Sequence, residues 1–311
     1  MKNKNILGMP IIAFYSVCSV LILGIIIGSF CDFQISNLLS NKTGIGDFFQ
    51  HYANVLSNSL YPVAGMCIFK GLKKKGKSFD LLSWVILILS IFYSVICNIT
   101  VSGKYLRETY GYVSGQPGSF FRIILCLLTW VAIASLFAFL ASKIIDDKKS
   151  NQLIVVGSVI LVAGIFSIEL NEWLKVIGNR PRYKYLITLE EPISEFRNWW
   201  QMRPYFSSDN SFQSWPSGHM TYATIMMCLP MIASVLKYKK EWLKNALFTF
   251  AVIWVILFGY NRIHMNAHFL TDVCFGVLIT YCLYALIYLC AFAAFPDDEN
   301  KIIGLFKIFK R

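Results

Sequence analysis

Apolar residues run along this chain in long blocks, with polar and charged residues gathered between them. Eight blocks approach the length of a membrane crossing: about 9–31, 52–69, 81–101, 119–142, 152–174, 217–236, 245–260 and 268–295. An α-helix of roughly 17–25 apolar residues covers the ~30 Å hydrocarbon core of a bilayer. Two blocks are weaker than the rest. Asn54, Ser57, Asn58, Ser59 and Pro62 dilute the second, and the seventh is short. The pattern predicts an all-α polytopic membrane bundle of about eight transmembrane helices, with no internal repeat and no low-complexity segment. The first block carries no charge from Asn5 to Cys31, is too long for a signal-peptide core and lacks a small-x-small cleavage site. It is expected to stay as an anchor.

Composition supports this reading. Of the 311 residues, 56% are hydrophobic and only 15% charged, whereas soluble domains carry about a quarter charged residues. The net charge of +12 would suit a nucleic-acid partner, but its distribution points elsewhere. With Lys2 and Lys4 inside, eight crossings also place Lys70–Lys77, Lys143–Lys149, Lys237–Lys244 and the last residues of the chain inside. That is 18 of the 29 basic residues on one side, as cytoplasmic loops require. The KGLKKKGK run is thus an orientation signal that also suits a phospholipid surface, and no nucleic-acid partner is expected. Both termini come out cytoplasmic, which requires the weak second span to be real. The basic tail, 296–311, ends in KIIGLFKIFKR and reads as a short amphipathic helix on the inner leaflet. Nine cysteines lie almost entirely within spans. They have neither metal-site spacing nor a disulfide framework and act as small hydrophobes. The Lys-, Asn- and Ile-rich composition fits a bacterial source.

On the opposite side the connections are longer, about 32–51, 102–118 and 175–216. A connection as long as the last is usually functional. It contains EFRNWWQMRPYF, which reads either as an aromatic belt at headgroup level or as a wall that meets a lipid headgroup.

Three segments on that side hold most of the unusual polar residues. NEWLKVIGNRPRY carries Lys175, Arg180 and Arg182, SWPSGHM carries Ser217, Gly218 and His219, and NRIHMNAHFLTD carries Arg262, His268 and Asp272. Ionisable residues at membrane depth are costly and are functional candidates by default. His268 and Asp272 are four apart, neighbours on one helix face. The carboxylate is expected to accept the proton of one imidazole nitrogen and aim the other into the site, where an oriented imidazole is a nucleophile or base. Lys175, Arg182 and Arg262 supply cations, and arginine forks match phosphate oxygens in pairs. The helix start at Ser217 offers free amides to an anion, and Gly218 has no side chain to block the approach; Ser217 serves as an N-cap, a ligand or both. Glu172, one turn before Lys175, pairs with it either to position it or to neutralise buried charge. Glu169, three residues earlier, has no clear role; Arg197 and Arg203 read as headgroup or interface contacts, His51 and His264 as interfacial, and Asp209 as a solvated loop residue. Neither a P-loop nor a dense carboxylate cluster is present, which disfavours metal-assisted hydrolysis. The parts form a phosphate cradle with two imidazoles, one to attack phosphorus and one to protonate the departing oxygen.

These segments resemble the signature of the type 2 phosphatidic acid phosphatase superfamily, in its membrane branch of lipid phosphate phosphatases. The pattern is K-x(6)-R-P, P-S-G-H and S-R-x(5)-H-x(3)-D. Here Lys175 and Arg182 keep the first spacing, with Tyr183 in place of the proline and an extra Arg180-Pro181 just before. Pro216-Ser217-Gly218-His219 matches in full. Arg262, His268 and Asp272 match the third block, with Asn261 in place of serine. The blocks cover 175–272, close to a third of the chain. The resemblance implies a six-helix phosphatase core over 81–295, with 1–80 as an additional transmembrane region. It implies that His268 forms a phosphohistidine, that Asp272 orients it and that His219 is the general acid. Lys175, Arg182, Arg262, Ser217 and Gly218 would bind the phosphoryl oxygens, with Arg180 as a possible helper and no metal or cofactor required. The substrate would be a phosphate monoester or pyrophosphate of a membrane lipid, met at the extracytoplasmic face of the plasma membrane. A phosphotransferase would use the same histidines, and a soluble phosphate ester as in glucose-6-phosphatase is a further option. A transporter would instead need charges at the midplane and broken helices in repeated halves.

Overall fold

The computed structural model describes residues 5–40, 46, 49, 53–101, 119–201, 209–238 and 240–294. His51, Arg203 and the basic tail lie outside them. The helices are α1 (Ile11–Leu39), α2 (Ala53–Asn58), α3 (Leu60–Lys73), α4 (Asp80–Val101), α5 (Ser119–Ile144) and α6 (Ser150–Gly178). After the one-turn helices α7 (Tyr183–Leu186) and α8 (Pro192–Glu195) come α9 (Gly218–Thr224), α10 (Leu229–Ala233), α11 (Glu241–His264) and α12 (Leu270–Ala294). Among the described residues six helices, α1, α4, α5, α6, α11 and α12, are long and apolar enough to cross a membrane. Their outer faces carry large exposed hydrophobics such as Phe30, Trp84, Leu128 and Ile256. The protein is an all-α polytopic bundle.

The other two predicted crossings are broken helices rather than continuous spans. In the block 52–69, Pro62 has no N–H to give the Asn58 carbonyl four residues back. Ser94 of α4 bonds that carbonyl instead, at 2.9 Å, and the Asn58 amide reaches Asn98 at 2.9 Å. Ser57 likewise accepts from the Trp254 indole at 3.1 Å, so Ser57 and Asn58 serve helix–helix contacts, while Ser59 bonds the Val55 carbonyl of its own segment. In the block 217–236, α9 and α10 flank a 3₁₀ turn at Ile225–Cys228, just before Pro230, which removes another i→i−4 bond.

The N-terminal region packs inside the bundle. On α6, a Cβ at Gly157 would stand 2.5 Å from the Ala64 carbonyl of α3, and one at Gly164 would stand 2.5 Å from Tyr61. Small residues let these backbones approach closely, the usual means of association where lipid removes the hydrophobic drive. Likewise Gly24 and Gly28 of α1 sit against Cys274 and Thr271. Ile6, Leu7, Ala53, Leu60, Tyr61 and Ala64 therefore share one core with the later helices.

The bundle has two distinct ends. At one, Lys74 and Asp147 pair at 3.9 Å, Lys70 reaches the Ile145 carbonyl at 3.2 Å, and the Lys237 amide bonds Ile144 O at 2.9 Å. A small hairpin, β1 (Asn5–Ile6) with β2 (Met9–Pro10), turns at Gly8 against Pro230 at this same end. From here α6 runs to Gly178 at the other end, where the three candidate segments lie.

Candidate active site

Left-handed residues at two helix ends aim the site. Asn179, with φ of 40°, closes α6 and turns the chain back so that Arg180 and Arg182 fold over the bundle end. Asn266, with φ of 59°, closes α11; the amides of Ala267 and His268 then bond the Arg262 carbonyl at 3.1 and 3.3 Å. That turn sets His268 beside Arg262. Asparagine is among the few residues that take this conformation readily.

Backbone bonds join the three segments. The Ser214 amide bonds Arg180 O at 3.0 Å, and the Ser217 amide bonds Asp272 O at 3.0 Å. A Cβ at Gly218 would stand 2.8 Å from Lys175 Nζ, so glycine there gives the lysine its place beside α9. Lys175 also forms an ion pair with Glu172. Thus Lys175, Arg182, Ser217, Gly218, His219, Arg262, His268 and Asp272 converge at one end of the bundle. His219 and Lys175 are half-buried; the others are buried.

The orientation of His268 differs from the sequence expectation. Its Nδ1 lies 2.7 Å from the Ser214 carbonyl and 3.9 Å from the Asp272 carboxylate. The second distance is too long for a hydrogen bond. A carbonyl can only accept, so Nδ1 carries the proton and Nε2 presents its lone pair. Asp272 acts one residue removed: its Oδ2 accepts from Ser214 Oγ at 2.6 Å and from the Phe269 amide at 2.9 Å. Ser214 was not singled out from the sequence. Any residue has a carbonyl, so no side chain signalled this one.

Arg180, which the resemblance offers only as a possible helper on phosphate, is engaged elsewhere. Nε donates to Arg197 O at 2.8 Å, Nη1 to Thr271 Oγ1 at 2.8 Å and Asp272 Oδ1 at 2.6 Å, and Nη2 to Asp32 at 2.9 Å. Its fork is committed to carboxylates. Asp32 was missed altogether, although a lone carboxylate just past the uncharged run of the first span was a readable signal. Glu169, Arg197 and His264 stay outside the cluster; His264 meets the Leu39 carbonyl at 3.0 Å.

Arg182 spends Nη2 on Gln213 O at 3.2 Å. Its Nε is buried without a protein partner among the described residues, as are Nε and Nη1 of Arg262 and the Ser217 hydroxyl. Ser217 makes no side-chain cap bond to α9, so its hydroxyl is not acting as an N-cap. Buried donors of this kind are expensive unless an acceptor meets them. Such donors suit an oxyanion ligand. Among the described residues no group of three or more His, Cys, Asp or Glu is placed to hold a metal.

Burial pushes the His268 imidazole well below its ordinary range; Arg182, Arg262 and His219 push in the same direction, and the Ser214 carbonyl opposes them. The ring is therefore expected to stay neutral below the ordinary imidazole value of about 6.5. In that window the unfolded chain takes up a proton that the folded chain refuses, so stability declines as pH falls below about 6.5. NMR of histidine-labelled protein, assigned with His268→Gln, is expected to show one ring that remains neutral at pH 5.5. Titration of His268 near 6.5 would contradict the burial argument.

Residues 151–296, just under half the chain, match the family model of the PAP2 superfamily. Over that segment the chain is similar to the PAP2 superfamily. No curated protein matches it, and no solved structure does. PAP2 proteins are generally phosphatases, and this segment lies in a bundle of apolar, membrane-length helices. The match points to phosphoester hydrolysis by a membrane protein. The match begins at the start of α6 and takes in all three segments, while α1 to α5 lie outside it.

Proposed function

We propose that this protein hydrolyses a phosphate monoester or pyrophosphate of a membrane lipid through a phosphohistidine at His268, at the extracytoplasmic face of a bacterial plasma membrane. The observation that carries the reading is the pairing of an imidazole whose Nδ1 is held by the Ser214 carbonyl with buried guanidinium donors that lack protein acceptors among the described residues. Lys175, Arg182, Arg262 and Ser217 hold the nonbridging oxygens, where fixed cations stabilise the charge of phosphoryl transfer. Nε2 attacks phosphorus, the bond to the lipid oxygen breaks, and His219 gives that oxygen its proton. Water then attacks phosphorus while His219 takes one of its protons. The P–N bond breaks, the electron pair returns to Nε2 and inorganic phosphate leaves.

A lipid fits because the cluster lies where the spans end, so a headgroup held in the membrane meets it directly. The basic connections at the other end favour the cytoplasmic side for that end. Aromatic side chains gather nearby: Trp199 packs at a tilt on Phe275 with ring centroids 4.7 Å apart, and Trp200 is exposed.

Rapid quenching during turnover of ³²P-phosphatidic acid, or of a polyprenyl pyrophosphate labelled on its terminal phosphate, tests the covalent route. Label is expected on the protein, labile to acid and stable to alkali, on the peptide that holds His268. Turnover with no such label at any quench time would rule out the phosphohistidine.

A further inference from the structure

Asp32, Arg180 and Asp272 are 2%, 1% and 0% exposed, and they form a buried cluster with two carboxylates and one guanidinium. Asp32 comes from α1, outside the PAP2 segment. One carboxylate would neutralise Arg180, and a buried charge without compensation is costly. The second therefore calls for a reason.

Geometry supplies one. Arg180 is fixed from several directions: the Arg197 carbonyl takes Nε, Asp32 takes Nη2, and Thr271 with Asp272 takes Nη1. The Phe269 ring lies 4.3 Å below the guanidinium carbon. Asp32 is itself anchored by the Thr271 amide at 3.0 Å and by the Thr271 hydroxyl. Because Nη2 is taken, Arg180 meets Asp272 through Nη1 alone. Oδ2 of Asp272 is left for Ser214, whose carbonyl fixes His268. An arginine facing a lone carboxylate prefers to bind both oxygens in parallel. Without Asp32, Nη2 would be released to compete for Oδ2.

We infer that Asp32 is a positioning residue for the nucleophile: by occupying Nη2 of Arg180 it keeps Asp272 on Ser214 and so keeps the proton of His268 on Nδ1. The inference rests on the reading of His268 as nucleophile, and it makes the first helix part of the catalytic unit. The same helix end makes further contacts with these segments. Asn37 accepts from Tyr183 at 3.1 Å, and Ser29 accepts from Trp199 at 3.0 Å.

The test compares wild type, Asp32→Asn and Asp32→Asn/Arg180→Lys in full-length, detergent-solubilised protein. For Asp32→Asn, kcat on phosphatidic acid is expected to fall about tenfold or more, the scale on which outer-shell partners act. KM and inhibition by inorganic phosphate should change by less than about twofold, since the Lys175, Arg182 and Arg262 side chains are untouched. In ¹⁵N-histidine spectra the single Nδ1–H tautomer of His268 should give way to a mixture. Lysine cannot fork over a carboxylate, so the double variant should recover both tautomer and rate relative to Asp32→Asn. A merely structural role would lower thermal stability in both variants, with kcat per folded molecule and the tautomer unchanged; that result overturns the inference. If Asp32→Asn does not fold, Asp32→Glu displaces the same charge by one methylene and is read by the same spectra. If His268→Ala remains active, the catalytic reading fails, and the tautomer measurement still decides whether Asp32 positions the ring.

Discussion

Replacing His268 with alanine is expected to lower kcat on lipid phosphates by about 10⁴-fold or more, the scale on which loss of a covalent nucleophile acts in other hydrolases. Nδ1 is held by Ser214 O at 2.7 Å, so the attacking nitrogen is Nε2; His264 also has its Nδ1 on a carbonyl, that of Leu39 at 3.0 Å, but stays outside the cluster. The cations remain in the variant, so substrate still binds and KM should move by only a few-fold. Water would then have to attack phosphorus without the imidazole, in a site arranged for attack from the position of Nε2. Phosphate release from detergent-solubilised protein checks this, with inhibition by inorganic phosphate as a measure of the intact cradle. Because His268 is buried, His268→Gln serves as a second variant that leaves less of a cavity. Activity within tenfold of wild type in a folded variant would remove His268 from the chemistry.

The route by which Asp272 supports this ring shows where sequence reasoning stopped. The six continuous spans were legible because a membrane helix must satisfy its backbone internally and present apolar side chains outward. The three polar segments were legible because charge at span ends is costly and rare. Spacing of four correctly put Asp272 near His268, and it suggested a direct bond. In the structure an intervening residue, 58 positions from Asp272 and 54 from His268, takes that place. Contacts at such separation leave no periodic trace.

Arg180 illustrates the same limit from another side. Its position two residues before Arg182 suggested shared work on phosphate. Its partner Asp32 lies 148 residues away on a helix that looked like an addition to the core. The breaks in the second and sixth blocks were partly visible, since Pro62 and Pro230 stand in the sequence. That Ser94 would take up the freed Asn58 carbonyl depended on which helix packed alongside. Local chemistry was readable, while the pairing of distant helices was not.

His219→Ala is expected to separate the two chemical steps. The residue opens α9, half-buried, beside buried Gly218 and Ser217, and it is near enough to His268 for its charge to bear on that ring. In its proposed role as general acid it would assist departure of a lipid alkoxide, a poor leaving group, and such assistance contributes about 10²–10⁴-fold. Hydrolysis of phosphatidic acid should fall by that order. A pyrophosphate, or p-nitrophenyl phosphate, has a better leaving group and needs less help in the first step. With these substrates the first step should persist while the second slows, because water also loses its base. Phosphoenzyme should then accumulate, visible as a burst of leaving group and as protein-bound label that decays slowly. Equal losses on good and poor leaving groups, with no burst, would show that His219 binds substrate without moving a proton. A burst on p-nitrophenyl phosphate that is absent on phosphatidic acid would place the proton on the departing lipid oxygen, the atom that the proposed mechanism assigns to it.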